Sequence, residues 1–340
     1  MKIFFNQSSR FLPILAINSR AFSSAPTHFP PAVYNLHLPQ QFSHNLFEHY
    51  QRQIPAHALL FKPTTGRDIA SQQLVWQKLI HDYPQFHQQI QEAKDSPIIV
   101  IDGIKIPKID PSKIPSTKYS EQDLHLYPEL KLAEIVAGLV MSQIVDLEKD
   151  KAFNFIFPTL EGKGYNFKFD SDGELIWHND GWLNGADEVV ALCAIKGNQS
   201  AITKIITAQQ IEDYFKSNDK ENLLKVLAQD FQIKAVDDDF VTNYGPILKD
   251  GKLRYAQYGN FVASSAIEKE ALNFLNQALN QINPALEISL QNGQALIIKN
   301  QQALHARAII NGENIAPQSR LLLRANAEGL NSASKDILRT

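Results

Sequence analysis

The chain has 340 residues, long enough for one large domain or two ordinary ones with a sizeable buried core. Hydrophobic residues make up 44% of it and charged residues 20%, proportions typical of a globular protein rather than a disordered or fibrous one. The formal net charge of −3 provides no attraction to nucleic acid or to an anionic membrane, so neither is an expected partner.

The N-terminal segment has a composition of its own. No acidic residue precedes Glu48, and a few basic residues interrupt an apolar, serine-containing stretch. A mitochondrial transit peptide has this composition, and so does a disordered leader, so both interpretations stay open. We therefore expect a leader at residues 1–26 and a single domain at 27–340. The protein is expected to be soluble and cytoplasmic, or mitochondrial if the leader is a transit peptide.

The first half of the domain is predicted to be mainly helical. Residues 27–60, rich in Pro, His and Gln, are expected to wrap around the domain. Residues 71–83 are predicted to form a helix, and the apolar run at 97–103 a short buried strand that ends in a turn. Pro128 begins a strongly apolar helix that is predicted to reach about Lys149. No apolar run has the length of a membrane span.

Short strands are predicted to dominate the second half. Residues 165–169 and 174–178 alternate between apolar and polar side chains, with a turn at 172–173 between them. The apolar run 189–195 contains Cys193, which is expected to be a buried thiol rather than a nucleophile. Because it is the one cysteine of the chain, a disulfide framework and a cysteine-rich zinc site are excluded.

One further helix is predicted among these strands. Ser265 with Glu268 three residues later has the spacing of a capping box, and Asn292-Gly293 marks a turn before a strand at 295–298. Behind the cap, apolar residues recur on one helical face: Ile267, Ala271, Leu272, Leu275 and Leu279.

Helices early, and strands in the middle and at the end, predict an α+β, mainly β domain. The pattern favours a double-stranded β-helix, that is, a jelly-roll or cupin-like core, over roughly residues 95–330 with flanking helices. Another α+β arrangement fits the pattern as well.

A pair of potential metal ligands ends the strand predicted at 174–178. His178 is followed two residues later by Asp180, and no other histidine of the chain has a carboxylate at that spacing. On a strand, residues i and i+2 point to the same face, so both side chains can reach one ion. Among ten histidines one such pair is expected by chance, so a hydrogen-bonded pair remains the alternative.

A second histidine would complete a facial triad of two histidines and one carboxylate, which leaves three adjacent positions open on the metal. His305 is the best candidate because Arg320 follows fifteen residues later and Arg324 four residues after that. Two arginines in so apolar a segment are costly to bury unless each meets an anion. A dicarboxylate cosubstrate and an acidic substrate would supply those anions.

At these motifs the sequence resembles the clavaminate synthase-like and taurine dioxygenase-like (TauD-like) branch of the Fe(II)- and 2-oxoglutarate-dependent oxygenases. The resemblance spans roughly residues 95–330 and is strongest at 175–180 and 293–324. The pattern that ends the family's domain appears here as Gly293, Asn300, Leu304, His305, Arg307, Arg320 and Arg324.

The resemblance implies an iron enzyme that uses 2-oxoglutarate as cosubstrate and O2 as oxidant. His178, Asp180 and His305 would ligate Fe(II). Arg320 would pair with the distal carboxylate of 2-oxoglutarate, a bidentate match, and Thr203 would add a hydroxyl hydrogen bond.

The substrate implied by the resemblance is a small molecule, an amino acid or an amino-acid-like carboxylate, hydroxylated at an unactivated C–H bond. Arg324 would hold its carboxylate, although a structural ion pair would look the same in sequence. Trp182 would line the pocket, although a packing role suits it equally. Desaturation and ring closure would use the same residues.

Two departures from the family pattern bear on the substrate. Asp180 stands where clavaminate synthase-like members usually carry Glu, although Asp is the commoner carboxylate of the wider superfamily. Members acting on arginine tend to carry acidic residues after an Arg-aromatic pair, whereas residues 254–260 contain none here. A guanidinium-bearing substrate is therefore poorly supported.

Two other classes remain open on sequence alone. One is a metal-dependent hydrolase or lyase on the same barrel, in which the metal is a Lewis acid. The other is a non-catalytic jelly-roll binding protein, which would have no need for both a triad and paired arginines.

Overall fold

The fold was derived from a computed structural model in which helices and strands are mixed. The leader and the strand and turn predicted at 165–173 lie outside the residues that it describes. Those residues are 31–53, 64–110, 112, 127–147, 153–156, 174–234, 242–308 and 320–327.

After the first strand, the described part of the chain begins with helices. The predicted helix at 71–83 is observed as α3, and it is shorter at both ends. Residues 27–60, for which no element was predicted, contain β1 and the amphipathic helix α1, whose buried side chains include Phe42, Leu46 and Tyr50. The elements are β1 (Val33–His37), α1 (Gln40–Gln53), α2 (Gly66–Ser71), α3 (Gln73–Ile80) and α4 (Pro84–Ala93).

The apolar helix predicted from Pro128 is present as α5 (Pro128–Ser142), but it ends before Lys149. At its end the side chains of Ser142 and Gln143 both donate to the carbonyl oxygen of Leu139, at 2.7 and 3.2 Å. Such side-chain bonds compete with continued helical pairing. In the described part of the chain, no helix combines the length and the hydropathy needed to cross a membrane.

Within the described residues, fourteen strands follow β1, together with three helices in the second half. The strand predicted at 97–103 is β2, and those predicted at 174–178, 189–195 and 295–298 are β4, β5 and β13. The strands are β2 (Ile98–Asp102), β3 (Asn154–Ile156), β4 (Leu175–His178), β5 (Val189–Lys196), β6 (Thr203–Thr207), β7 (Phe231–Lys234), β8 (Thr242–Gly245), β9 (Leu248–Lys249), β10 (Lys252–Leu253), β11 (Asn260–Val262), β12 (Leu286–Ile288), β13 (Ala295–Lys299), β14 (Ala303–Arg307) and β15 (Leu321–Ala327); the helices are α6 (Ala208–Ser217), α7 (Glu221–Leu227) and α8 (Ala266–Gln281).

Two sheets form the centre of the domain. The larger has six strands in the order β1-β2-β13-β5-β15-β3, antiparallel except for the pair β1–β2. The smaller has four strands in the order β12-β6-β14-β4 and is antiparallel throughout. The turn before β13 depends on Gly293, whose φ is +75° and whose missing Cβ would lie 2.1 Å from the carbonyl oxygen of Ile104.

The large sheet is buried on both faces, which explains why its strands are almost continuously apolar. One face packs against helices α1–α5 through side chains such as Ile99, Cys193 and Ile297. The other packs against the small sheet, where Ile98, Leu296 and Leu322 share a core with Ile205 and Ala303. Cys193 is fully buried, and burial raises the pKa of its thiol to about 12, as expected for a packing residue.

The outer face of the small sheet is covered by α6–α8. The predicted capping box is confirmed at the start of α8, where Ser265 and Glu268 each satisfy the other's backbone N–H. The apolar face of that helix is narrower than predicted: Ala271, Leu275 and Leu279 are buried, but Ile267 is 45% exposed.

Candidate metal centre

Three side chains with metal-binding groups meet at the edge of the small sheet. His178, Asp180 and His305 each offer a ligand atom within 4.8 Å of the others. Nε2 of His178 lies 3.8 Å from Oδ1 of Asp180, and Nε2 of His305 lies 3.9 Å from Oδ2. Metal–ligand bonds of about 2 Å span such separations, so one ion can contact all three residues.

Strand pairing brings the two histidines together. β4 and β14 are antiparallel neighbours, His305 is opposite His178, and the ring centroids are 4.4 Å apart. The i, i+2 argument assumed that Asp180 lies on the same strand as His178, but it does not. β4 ends at His178, and Asp180 begins the following turn, where Gly181 adopts a left-handed φ of +68°.

Both histidines are neutral and can offer a lone pair. Burial lowers the pKa of His178, and burial together with the neighbouring His178 lowers the pKa of His305 to about 3. Nδ1 of His178 lies 2.7 Å from the carbonyl oxygen of Ile176. Because a carbonyl oxygen only accepts hydrogen bonds, Nδ1 carries the proton. The lone pair of Nε2 therefore points into the space that His178 shares with Asp180 and His305.

The two oxygens of Asp180 have different surroundings. Oδ2 accepts a hydrogen bond from Nη2 of Arg324 at 2.9 Å, whereas buried Oδ1 has no hydrogen-bond partner within the described residues. Burial is the largest influence and would raise the pKa of this carboxyl, but the Arg324 charge together with the neighbouring His305 and His178 outweighs it and holds the pKa below its usual range. Asp180 is therefore an ionised carboxylate with one oxygen available.

Two buried asparagines hold the backbone on either side of Asp180. The side chain of Asn300 accepts from the backbone N–H of Asp180 at 3.0 Å and donates to the carbonyl oxygens of Asp180 and Asp187 at 2.9 and 2.8 Å. The side chain of Asn179 donates to the carbonyl oxygens of Asn300 and Ala303 and accepts from the backbone N–H of Tyr255. The ligand turn is thereby tied to the start of β14. The role of Asn179 was not predicted, because its partners are far away in sequence.

A pocket between the two sheets opens beside the three ligands. Thr203, Arg320 and Arg324 line it together with Asp180 and His305, so the structure brings these sequence-predicted residues into one cavity. Arg307, which the sequence analysis gave no role, lines it too. The remaining walls are mostly apolar and come from both sheets: Ile156, Leu175, Val190, Leu192, Ala306 and Leu322.

Arg320 is the most unusual group in this pocket. It is only 6% exposed, and its guanidinium makes no hydrogen bond or ion pair with any residue that the structure describes. Burial, reinforced by the positive charge of Arg307, lowers its pKa to about 9. A buried cation without a partner is costly, so the pocket is built to receive an anion.

Trp182 lies apart from the pocket residues. It packs against Phe261 and Tyr258, with ring centroids 5.6 and 6.0 Å away, and its indole donates to the Tyr258 hydroxyl. The ring of Tyr258 is 5.7 Å from that of His178. Among these aromatic side chains, Tyr258 rather than Trp182 is the one whose ring contacts His178, and the sequence analysis did not single it out.

A comparison of the sequence with protein-family models and with curated proteins found no match. Solved structures do match. An asparagine oxygenase in complex with Fe(II), 2S,3S-3-hydroxyasparagine and succinate superposes with a TM-score of 0.64 at 16% identity, covering 87% of this chain and 93% of that chain. The non-haem iron oxygenase OrfP in complex with Fe, succinate and (3S)-hydroxy-L-Arg superposes with a TM-score of 0.65 at 16% identity, covering 90% and 97%.

A further structure of OrfP, in complex with Fe and α-ketoglutaric acid, gives a TM-score of 0.64 at 16% identity and covers 89% of this chain and 96% of that chain. At such identities the likeness establishes a shared fold. The resemblance seen in the sequence is confirmed at the level of the fold, because these three solved structures are of oxygenases in complex with iron.

Proposed function

We propose that the protein is an Fe(II)- and 2-oxoglutarate-dependent dioxygenase with a jelly-roll core, which hydroxylates an unactivated C–H bond of an amino acid or amino-acid-like carboxylate. One observation carries the proposal: the pocket lined by Asp180 and His305 of the His-Asp-His cluster also contains a buried guanidinium, that of Arg320, without a described partner. The pocket lies between a six-stranded and a four-stranded sheet, which supports the jelly roll. Residues 27–340 would form the one domain.

The donor set fits ferrous iron. Two neutral imidazoles and one carboxylate are the facial triad typical of non-haem Fe(II) oxygenases. The buried Oδ1 of Asp180, with no partner in the described structure, is the oxygen that would contact the ion. His178, Asp180 and His305 would occupy one face and leave adjacent positions for cosubstrate and O2.

The rest of the pocket suits a dicarboxylate. Arg320 would bind the distal carboxylate of 2-oxoglutarate with paired N–H groups, and the hydroxyl of buried Thr203 would donate to the same group. Leu192 and Leu322 would cover the methylene carbons and exclude water. When Fe(II), 2-oxoglutarate and O2 are bound together, they supply the oxidant for C–H cleavage and release succinate and CO2.

The protein's own contribution is positioning. The strand pairing of β4 with β14 fixes the two imidazoles, and the hydrogen bonds of Asn300 fix the backbone of Asp180, so the ligands need no rearrangement on binding. Arg324, which contacts Asp180, would also hold an anionic group of the substrate. Fixed geometry of this kind brings the reacting carbon close to the oxidant.

The described pocket also bears on the substrate. Its one carboxylate is Asp180, and Arg254 in the acid-free segment 254–260 donates to the carbonyl oxygens of Trp182 and Leu183. These features support a substrate without a guanidinium group. The structural neighbours were solved with hydroxylated asparagine and hydroxylated arginine, so a free amino acid is the class we propose.

The test is production of succinate from labelled 2-oxoglutarate by the full chain with Fe(II), ascorbate and O2. We expect slow turnover without substrate and faster turnover with an accepted member of an amino-acid panel. His305→Ala should abolish both. No succinate from protein shown to contain iron would contradict the proposal.

The hydrolase or lyase alternative makes the opposite prediction. Such an enzyme would turn over under nitrogen and would not consume 2-oxoglutarate. Running the same amino-acid panel anaerobically separates the two classes, because an oxygenase forms no product there.

A further inference from the structure

The two oxygens of the Asp180 carboxylate have different surroundings, and the residues around them explain the difference. Oδ2 is held by Arg324 at 2.9 Å, while Oδ1, also buried, faces His178 with no partner among the described residues. Both side chains are nearly inaccessible to water, 4% exposed for Asp180 and 11% for Arg324. A charge-assisted hydrogen bond in so dry a place is strong and directional.

The two partners come from separately anchored parts of the chain. The backbone of Asp180 is clamped by Asn300, so its carboxylate can move only by side-chain rotation. Arg324 lies within β15, where Leu192 of β5 and Asn154 of β3 flank it. Fixing one carboxylate oxygen from across the pocket therefore sets the rotation of the whole group.

We propose that Arg324 is a positioning residue that aims Asp180 at the metal. By holding Oδ2, it presents Oδ1 alone and makes Asp180 a one-oxygen ligand. This keeps a coordination position open that a two-oxygen carboxylate would fill. The inference rests on the metal site of the proposed function, and it assigns Arg324 a task separate from substrate binding.

The main competing explanation is that Arg324 merely fills the place of the ion. A guanidinium that neutralises an empty carboxylate would compete with a divalent cation, and its removal would tighten metal binding. A positioning residue behaves in the opposite way, because supporting groups around a metal typically contribute about 10–100-fold to affinity. The sign of the change in affinity therefore decides between the two.

The experiment measures Mn(II) binding by the full chain, from the electron paramagnetic resonance of free Mn(II), with no 2-oxoglutarate present. Arg324→Met should weaken binding by about 10–100-fold, and Arg324→Lys should recover part of the loss. The control is Arg52→Met, which removes an exposed arginine paired with Glu48 outside this pocket and should bind Mn(II) like the wild type. Unchanged or tighter binding by Arg324→Met would overturn the proposal.

A second readout covers variants that fold poorly. Co(II) absorption bands report the coordination of the ion in whatever fraction binds it, and we expect them to differ between Arg324→Gln and wild type at saturation. Identical bands would also overturn the proposal. Wild type that binds Mn(II) but forms no succinate would refute the oxygenase and leave the Arg324 assignment intact, whereas succinate formation with tight Mn(II) binding by Arg324→Met would refute only the assignment.

Discussion

The two ends of the pocket between the sheets are built differently. At the metal end, the turn that bears Asp180 is held by the saturated side chain of Asn300 and by Arg324. At the other end, Arg320 is buried without a described partner. The difference supports the proposed function, in which the protein's own hydrogen bonds would pre-organise the proposed ligands of the ion, whereas a bound anion would complete the arginine end.

The largest stability effect is expected at the metal end. Asn300→Ala would leave the buried N–H of Asp180 unpaired, at about 1–3 kcal/mol. It would also remove one hydrogen bond to each of the carbonyl oxygens of Asp180, which still accepts from the N–H of Asp187, and Asp187, at about 0.5–1.5 kcal/mol each, so the free energy of unfolding should fall by about 2 kcal/mol or more. Urea denaturation measures the change. The matched control is Asn292→Ala, which loses one exposed bond to the N–H of Gly197 and should cost much less. Equal losses in the free energy of unfolding for the two variants would mean that the hydrogen bonds of Asn300 contribute no more than one exposed bond.

The pH dependence of stability tests the same end of the pocket. His305 has a folded pKa of about 3 against an ordinary value of 6.5, so the unfolded chain takes up the proton first as pH falls. Its contribution to stability is complete above pH 6.5 and is lost progressively between pH 6.5 and 3. The lowered pKa of Asp180 adds a loss below its ordinary value of 3.8.

We therefore expect His305→Gln, without metal, to flatten the fall in unfolding free energy below pH 6.5. His81→Gln, at a side chain that is 89% exposed, should keep the wild-type slope. Parallel slopes for wild type and His305→Gln would show that His305 is not held neutral by burial.

Sequence patterns revealed those parts of the fold whose signals are local. The β2 strand is a short apolar run, and α8 begins with a complete capping box, so both were predicted. The capping box of α6, Thr207 with Gln210, has the same form but escaped notice because the helix itself is polar. In α1 the buried Phe42 and Leu46 are separated by Ser, His and Asn, which hid the helical spacing.

The residues of the candidate site likewise divide into those with a local signal in the sequence and those without one. His178 and Asp180 are neighbours in the chain, and His305 and Arg320 lie in one recognisable motif, so these residues were found. Asn179 works through bonds to residues more than a hundred positions away, and Tyr258 reaches His178 only through tertiary packing. Contacts of that kind leave no periodicity or spacing in the sequence.

Mutations at the end of the pocket that contains Arg320 should change the KM for 2-oxoglutarate rather than the stability of the protein. Arg320→Gln removes a charge-assisted pair worth about 1.5–3 kcal/mol, so we expect the KM for 2-oxoglutarate to rise by roughly 10–100-fold. Arg320→Lys should fall between this variant and the wild type, because it keeps the charge but not the paired geometry. Steady-state kinetics with 2-oxoglutarate as the varied substrate gives the numbers, and an unchanged KM would place the anion elsewhere.

The smallest effect is expected at Thr203, in the same end of the pocket. Thr203→Val keeps the shape of the side chain and the backbone pairing with Arg307 but removes the hydroxyl donor. Loss of one hydrogen bond of about 0.5–1.5 kcal/mol predicts a rise in the KM for 2-oxoglutarate of about 2–10-fold, with Mn(II) affinity unchanged. Thr203→Ser should restore the wild-type KM, since it restores the hydroxyl. If Thr203→Val leaves the KM for 2-oxoglutarate unchanged while Arg320→Gln raises it, the distal carboxylate is held by the guanidinium alone. If Thr203→Val weakens Mn(II) binding instead, the two ends of the pocket are not independent.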